Sequence, residues 1–225
     1  VKEHGLFTAQ VVWWLGPIPI TVTVLTSAAI SVAFLLTLAL WARAATTAPT
    51  SAAAAVARMV ARFLQELVAE TAGSDSAVLE AFAAALFVFI AGSAVVGQLP
   101  GVAAPTSNLP AASALAFLVF LAVPIAGIKQ RGLKRYLAEY LRPNPLLLPL
   151  HVISELSRTV ALALRLFGNM MSGHLVVSLI VALVGVFVPV PLMALDLLIG
   201  FLQAYIFTVL ACVYVGAAIR MGDTE

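Results

Sequence analysis

Residues 162–174 read LALRLFGNMMSGH. One permanent cation, Arg165, stands inside an otherwise uncharged apolar run, and the nearest acidic residue in sequence is Glu155, ten positions earlier. A guanidinium does not give up its proton. Placing one at the centre of a bilayer costs about 2.5–3.5 kcal/mol even on the lenient scale from insertion experiments. If this run is a membrane helix, Arg165 needs a partner or a task that offsets that cost.

Composition says that it is a membrane helix. The chain has 225 residues, of which 63% are hydrophobic and 10% charged, with a mean hydropathy of +1.10. Charge-free runs of about 20 residues match a hydrocarbon core roughly 30 Å thick, and backbone in lipid must be helical or part of a closed barrel. The runs are too long and continuous for barrel strands of about ten residues. The expected fold is all-α: a polytopic transmembrane protein of about five crossing helices, ending in a long, steeply tilted helical hairpin. A net charge of +2, with no basic stretch interleaved with aromatics, argues against nucleic acid. A single cysteine, Cys212, excludes an internal disulfide and supports no metal site; no cofactor is expected. The N-terminal stretch lacks the pattern of a secretory signal peptide.

Working outward from Arg165, the chain divides into six parts. Residues 1–19 form an interfacial segment with tryptophans in VVWWLGPIP, and residues 20–41 a first span stopped by Arg43. Residues 42–80 form an amphipathic interlude, where Arg58, Arg62, Glu66 and Glu70 follow at steps of four. Two spans, about 81–96 and 112–128, are joined by the uncharged loop GQLPGVAAPTSNLPA. Residues 129–145 carry Lys129, Arg131, Lys134, Arg135 and Arg142, the densest basic loop. Basic loops stay cytoplasmic, so 129–145 lies inside. Alternation then puts the N-terminus and the 97–111 loop outside, and the 42–80 segment and C-terminus inside. Of the Lys and Arg residues in loops and termini, only Lys2 falls outside.

Residues 146–225 form the hairpin. A helix over 150–186 would be roughly 55 Å long at 1.5 Å per residue, so it must be steeply tilted or broken. Pro189 and Pro191 mark the turn, and a second helix returns over about 192–219. At 100° per residue, with Arg165 at zero, Arg158 falls at about 20°, His151 and Asn169 at about 40° and Glu155 at about 80°. These polar groups share one stripe. Ala161, Gly168 and Ser172 fall just beside it, and small residues let another helix approach closely. His174 lies on the opposite face. On the returning helix Asp196 and Gln203 share a face; Asp196 matches His174 in depth and Gln203 matches Arg165.

Ionisable groups inside a membrane mark proton relays, ion paths or structural pairs. His174 with Asp196 forms an outer titratable pair, and His151 with Glu155 an inner cluster. Histidine and carboxylates can exchange protons. An arginine cannot relay a proton but can block one, so two half-paths separated by Arg165 need a carrier between them.

At these residues the sequence resembles a known family. LSRTVALALRLFGNMMSGHL closely resembles the signature helix of subunit a of F-type ATP synthases, the stator subunit beside the rotating ring of c subunits. LQAYIFTVL at 202–210 resembles that family's final helix, and GQLPGVAAPTSNLPAASALAF at 97–117 resembles its G-L-I-P-G and P-T-S-D-L-N segment. The resemblance covers most of the chain from about residue 80 onward. It implies that Arg165 faces the ring carboxylate, with Asn169 one turn on and Gln203 approaching the arginine. It implies that His174 and Asp196 line the outer half-channel, and that Glu155, one turn from His151, takes the cytoplasmic exit where the family often has glutamate at the His151 position. The implied partners are the c-ring, peripheral-stalk b-type subunits and, indirectly, a soluble nucleotide-binding sector. This chain has no G-x-x-x-x-G-K-[ST] loop of its own, so it is not expected to be catalytic alone. The implied location is a bacterial inner membrane. Departures include Thr159 where the family has proline, Ala94 where asparagine is common, and Asn108 where aspartate is usual.

Blander readings compete. Arg165 could be a structural ion-pair partner, Arg158 could snorkel to cytoplasmic headgroups, His151 could face water or headgroups, and a His174–Asp196 bond could merely tie the hairpin. At the level of the whole chain, the alternative is a self-contained secondary ion transporter or channel. Such transporters usually carry an internal repeat and broken helices, and no repeat is found here.

Overall fold

A computed structural model describes residues 11–15, 18–21, 29, 32–37, 39, 40, 43, 52–72, 76–98, 104–132, 148–184 and 189–220. Among the described residues, five long helices carry the architecture: α1 (Ala52–Ala72), α2 (Ala77–Gly97), α3 (Leu109–Arg131), α4 (Leu148–Val184) and α5 (Val190–Arg220). A 3-10 turn, Pro105–Ser107, precedes α3. The expected helical membrane fold is the observed one, apart from a short strand pair near the N-terminus. Four of the helices, α2 to α5, are long and apolar enough to cross a membrane. The fifth crossing expected over 20–41 lies largely outside the described residues, although residues 32–37 within it are helical. The basic loop 129–145 lies outside them beyond Gly132. Residues 1–19, expected as an interfacial segment, contribute part of an antiparallel strand pair, β1 (Val11–Leu15) with β2 (Ile18–Thr21), in which Trp14 pairs with Pro19. Both strands are rich in β-branched or aromatic residues, which suit a pleated ribbon.

The expectation of a tilted or broken first hairpin helix resolves to an unbroken one. α4 runs 37 residues without interruption, about 55 Å at the standard rise. Its excess over a hydrocarbon core of about 30 Å must be taken up by tilt or by protrusion. Within its polar stretch Thr159 Oγ1 donates to the Glu155 carbonyl, one turn back, at 3.0 Å, and a threonine keeps the backbone N–H that a proline would lack.

α5 is the central helix and touches α1, α2, α3 and α4. One apolar core joins Leu86, Ile90 and Ala94 of α2, Ala112, Ala116 and Val119 of α3, Leu162, Leu166 and Met170 of α4, and Ala204, Phe207 and Ala211 of α5. Alanines at the crossings bring backbones close, the usual currency of helix association in lipid. At Gly200 of α5 an added Cβ would press on the Ala94 methyl of α2, so these two helices meet there without room for a larger side chain. Gly92, one turn from the α2 end, likewise lies against the Phe34 ring. Below the main core, Val68 of α1 packs with Leu79, Val123, Cys212 and Val215.

The segment between α2 and α3 is pinned by polar contacts. Ser93 and Thr106, both fully buried, share a hydroxyl–hydroxyl bond of 2.8 Å, and the Thr106 N–H donates to Ser93 Oγ at 3.1 Å. In an apolar surrounding each unmade bond would cost about 1–3 kcal/mol, so this pair holds the 3-10 turn against α2. α2 therefore ends in a fixed place, with Gln98 as its C-terminal cap.

Candidate functional site

The hairpin helices are covered very unequally. In the apolar stretch of α5, 44% of residues are buried within the chain; in that of α4, 12% are. The buried side of α4 is Leu162, Ala163, Leu166 and Met170. Arg165 lies about 110° from the middle of that side, and it is exposed. Among the described residues no hydrogen bond or ion pair engages its guanidinium. Ala161, Gly168 and Ser172, the small residues flanking it, are exposed as well. Among the described residues, a Cβ added to Gly168 would meet nothing within 4 Å beyond its own helix backbone. The chain thus presents a permanent cation, bordered by small side chains, on an outward face of its least covered helix.

Asn169, one turn beyond Arg165, is half-buried. Gln203 of α5 is buried, only 4% exposed, and its Nε2 has no hydrogen-bond partner among the described residues. A buried amide donor left unpaired costs about 1–3 kcal/mol. Gly173 lies against Asp196 and Gly200 near Met170, an antiparallel register that brings Arg165 and Gln203 to about one level along α4 and α5.

Arg158 is exposed but has a partner on α5. Its guanidinium lies over the Tyr214 ring of α5, 4.4 Å from the centroid. This cation–π contact, worth about 0.5–1 kcal/mol at an exposed site, braces α4 against α5. His151 is exposed and Glu155 half-buried, one turn apart on α4.

At the other end of the hairpin, the Asp196 carboxylate lies against Gly173, where a Cβ would fall on its Oδ1. Asp196 therefore sits beside the turn of α4 that carries His174, whose own side chain lies outside what the structure describes. The bond that Asp196 does make is to a residue sequence reasoning did not assign: Gln98 Nε2 donates to Asp196 Oδ2 at 2.8 Å. The available signal was an amide in the second position of GQLPG, where the resembled motif has leucine. Among the described residues no cluster of three or more histidine, cysteine or carboxylate side chains could hold a metal ion.

The sequence profile described as ATP synthase A chain matches residues 6–216. The chain is similar to ATP synthase subunit a 2 of Bradyrhizobium sp. (strain BTAi1 / ATCC BAA-1182), with 40% identity over 224 residues, 96% of this chain and 97% of that one. It is also similar to ATP synthase subunit a 2 of Picosynechococcus sp. (strain ATCC 27264 / PCC 7002 / PR-6), with 48% identity over 158 residues, 70% of this chain and 68% of that one. A third relative, ATP synthase subunit a of Albidiferax ferrireducens, shares 48% identity over 139 residues, covering 62% of this chain and 60% of its own. With an exposed intramembrane arginine on a long hairpin helix, four membrane-type helices and matches of this extent, the chain belongs to the ATP synthase A chain family and is an integral membrane subunit of the ATP synthase complex.

Proposed function

We propose that this subunit gives two offset half-channels to the carboxylates of a rotating c-ring, and so couples H⁺ or Na⁺ transport to ATP synthesis or hydrolysis. The observation that carries the reading is Arg165, exposed on the least covered helix beside small residues. A cation facing lipid is expensive, whereas one facing a carboxylate of a packed partner is stabilised. The ring is that partner, and Gly168 lets its helices come close.

In this reading ions enter from the outer side past His174 and Asp196 and load onto a ring carboxylate. The loaded carboxylate is neutral and can pass through lipid; after almost a full turn it discharges towards the cytoplasm near Glu155 and His151. Arg165 keeps the unloaded carboxylate ionised and separates the two half-channels. Asn169 and Gln203 flank it, and the free Gln203 amide donor is placed to help hold a carboxylate at that level. The transmembrane potential supplies about 2.3 kcal/mol per charge per 100 mV, and the concentration gradient adds to it. ATP chemistry belongs to the nucleotide-binding sector, which peripheral-stalk b-type subunits hold fixed relative to this chain. The setting is a bacterial inner membrane, with the N-terminus outside and the C-terminus cytoplasmic.

Cysteine cross-linking tests the docking face. Ser172→Cys, near Arg165 and exposed, is expected to form an oxidative disulfide with a cysteine placed one turn from the ring carboxylate. Leu118→Cys, exposed on α3, serves as the control and is expected to form none. Equal yields at both positions would remove the Arg165 face as the ring contact.

A further inference from the structure

We infer that Gln98 is a positioning residue for ion loading, holding the Asp196 carboxylate in the orientation it presents to ions arriving from the outer side. The inference rests on the reading of Asp196 as part of the outer half-channel.

The packing of α2 against α5 places Gln98 where it can act. Gly200 of α5 lies against Ala94 of α2, and one turn further along α2, one turn back along α5, Gln98 meets Asp196. The two contacts are successive rungs of one antiparallel helix pair. At the first rung the approach is too close for a polar side chain. At the second the helices leave room for an amide and a carboxylate. The backbone at Gln98 is itself fixed: its N–H bonds to the carbonyls of Val95 and Val96 at the end of α2. Its side chain thus starts from an anchored point and spans to α5 with a 2.8 Å bond.

The carboxylate is constrained on two sides. Gln98 holds Oδ2, and the bare backbone of Gly173 borders Oδ1. An ionised carboxylate has about four acceptor positions, so one amide bond orients the group and leaves capacity for a proton or a cation. Without the amide the side chain regains rotamer freedom, and fewer of its orientations offer the ion the same site. Within seven residues of the contact, α2 and α5 carry no titratable residue besides Asp196, and α4 carries only His174. Asp196 and His174 are therefore the titratable residues that these three helices carry at this level.

The test uses the assembled complex in vesicles. ATP synthesis is driven by an imposed potential while the outer proton concentration is varied, and again while outer Na⁺ is varied at fixed pH. Gln98→Met keeps the length of the side chain and removes the donor. The half-saturating concentration of the transported ion is expected to shift about tenfold from the wild-type value, with a smaller loss of maximal rate. Tenfold corresponds to about 1.4 kcal/mol, in keeping with one hydrogen bond to a charged group. Gln98→Leu repeats the measurement should the thioether disturb assembly. A wild-type half-saturation, or a fall in maximal rate at unchanged half-saturation, would overturn the positioning role. Asp196→Asn separates the two levels of the argument. If it loads ions normally, Asp196 is not in the outer path and the underlying reading fails with the inference. If it is impaired while both Gln98 variants load normally, only the role of Gln98 fails.

Discussion

With Arg165→Ala, ATP-driven ion uptake and gradient-driven ATP synthesis are both expected to fall at least about 100-fold. Losing a close charge partner from a desolvated site costs about 2–5 kcal/mol, and each 1.4 kcal/mol is a factor of ten. The fold should tolerate the change. Arg165 is exposed in the subunit, and among the described residues it has no carboxylate that its removal would strand. Leu162 and Leu166, on the buried side of the same turns, still anchor α4 in the core. Quantifying the assembled complex beside its transport rate checks both halves of the expectation. Normal coupled transport in the variant would return the arginine to a structural ion pair.

Gly168→Leu is expected to be nearly as damaging, for a different reason. Among the described residues, nothing beyond its own helix backbone lies within 4 Å of a Cβ at this position. A leucine there costs the isolated subunit little, and exchanging glycine for a good helix former even favours the helix by about 1 kcal/mol. If the face beside Arg165 receives the ring, the same side chain holds the ring helices off or brakes their rotation. Coupled transport should drop by more than tenfold while membrane insertion and helix content stay as in the wild type. Gly168→Ala, which adds one methyl, should retain a substantial part of the rate. A leucine variant with full activity would mean that this face looks onto lipid.

Much of this site can be read from the sequence because the lipid environment simplifies the problem. Charge in an apolar run is costly enough that Arg165 stands out without any structure, and helical periodicity puts Arg158, His151 and Asn169 on its side. The length of α4 follows from the lack of proline between Pro149 and Pro189. What periodicity cannot supply is the partner of each group across helices. Arg158 reads as a headgroup anchor, and only the fold brings Tyr214 of α5 under it. Asp196 reads as a partner for His174 because their depths match, while the end of α2 brings in Gln98 from 98 residues away. Depth matching treats the hairpin in isolation, and α2, which packs beside α5, is absent from that construction. The Ala94 departure from the resembled motif likewise has no meaning along one strand of sequence. It becomes intelligible when Gly200 is seen pressed against it.

The most direct test of the central claim is passive ion flux through vesicles holding the assembled complex, with ATP absent and a membrane potential imposed. Two half-channels kept apart by a fixed cation predict a tight wild-type complex and a measurable leak with Arg165→Ala, because loaded, neutral ring carboxylates can then pass directly between the half-channels without a full rotation. A variant that assembles, has lost coupled transport and is no leakier than the wild type would contradict the claim that Arg165 is the barrier between the two half-channels.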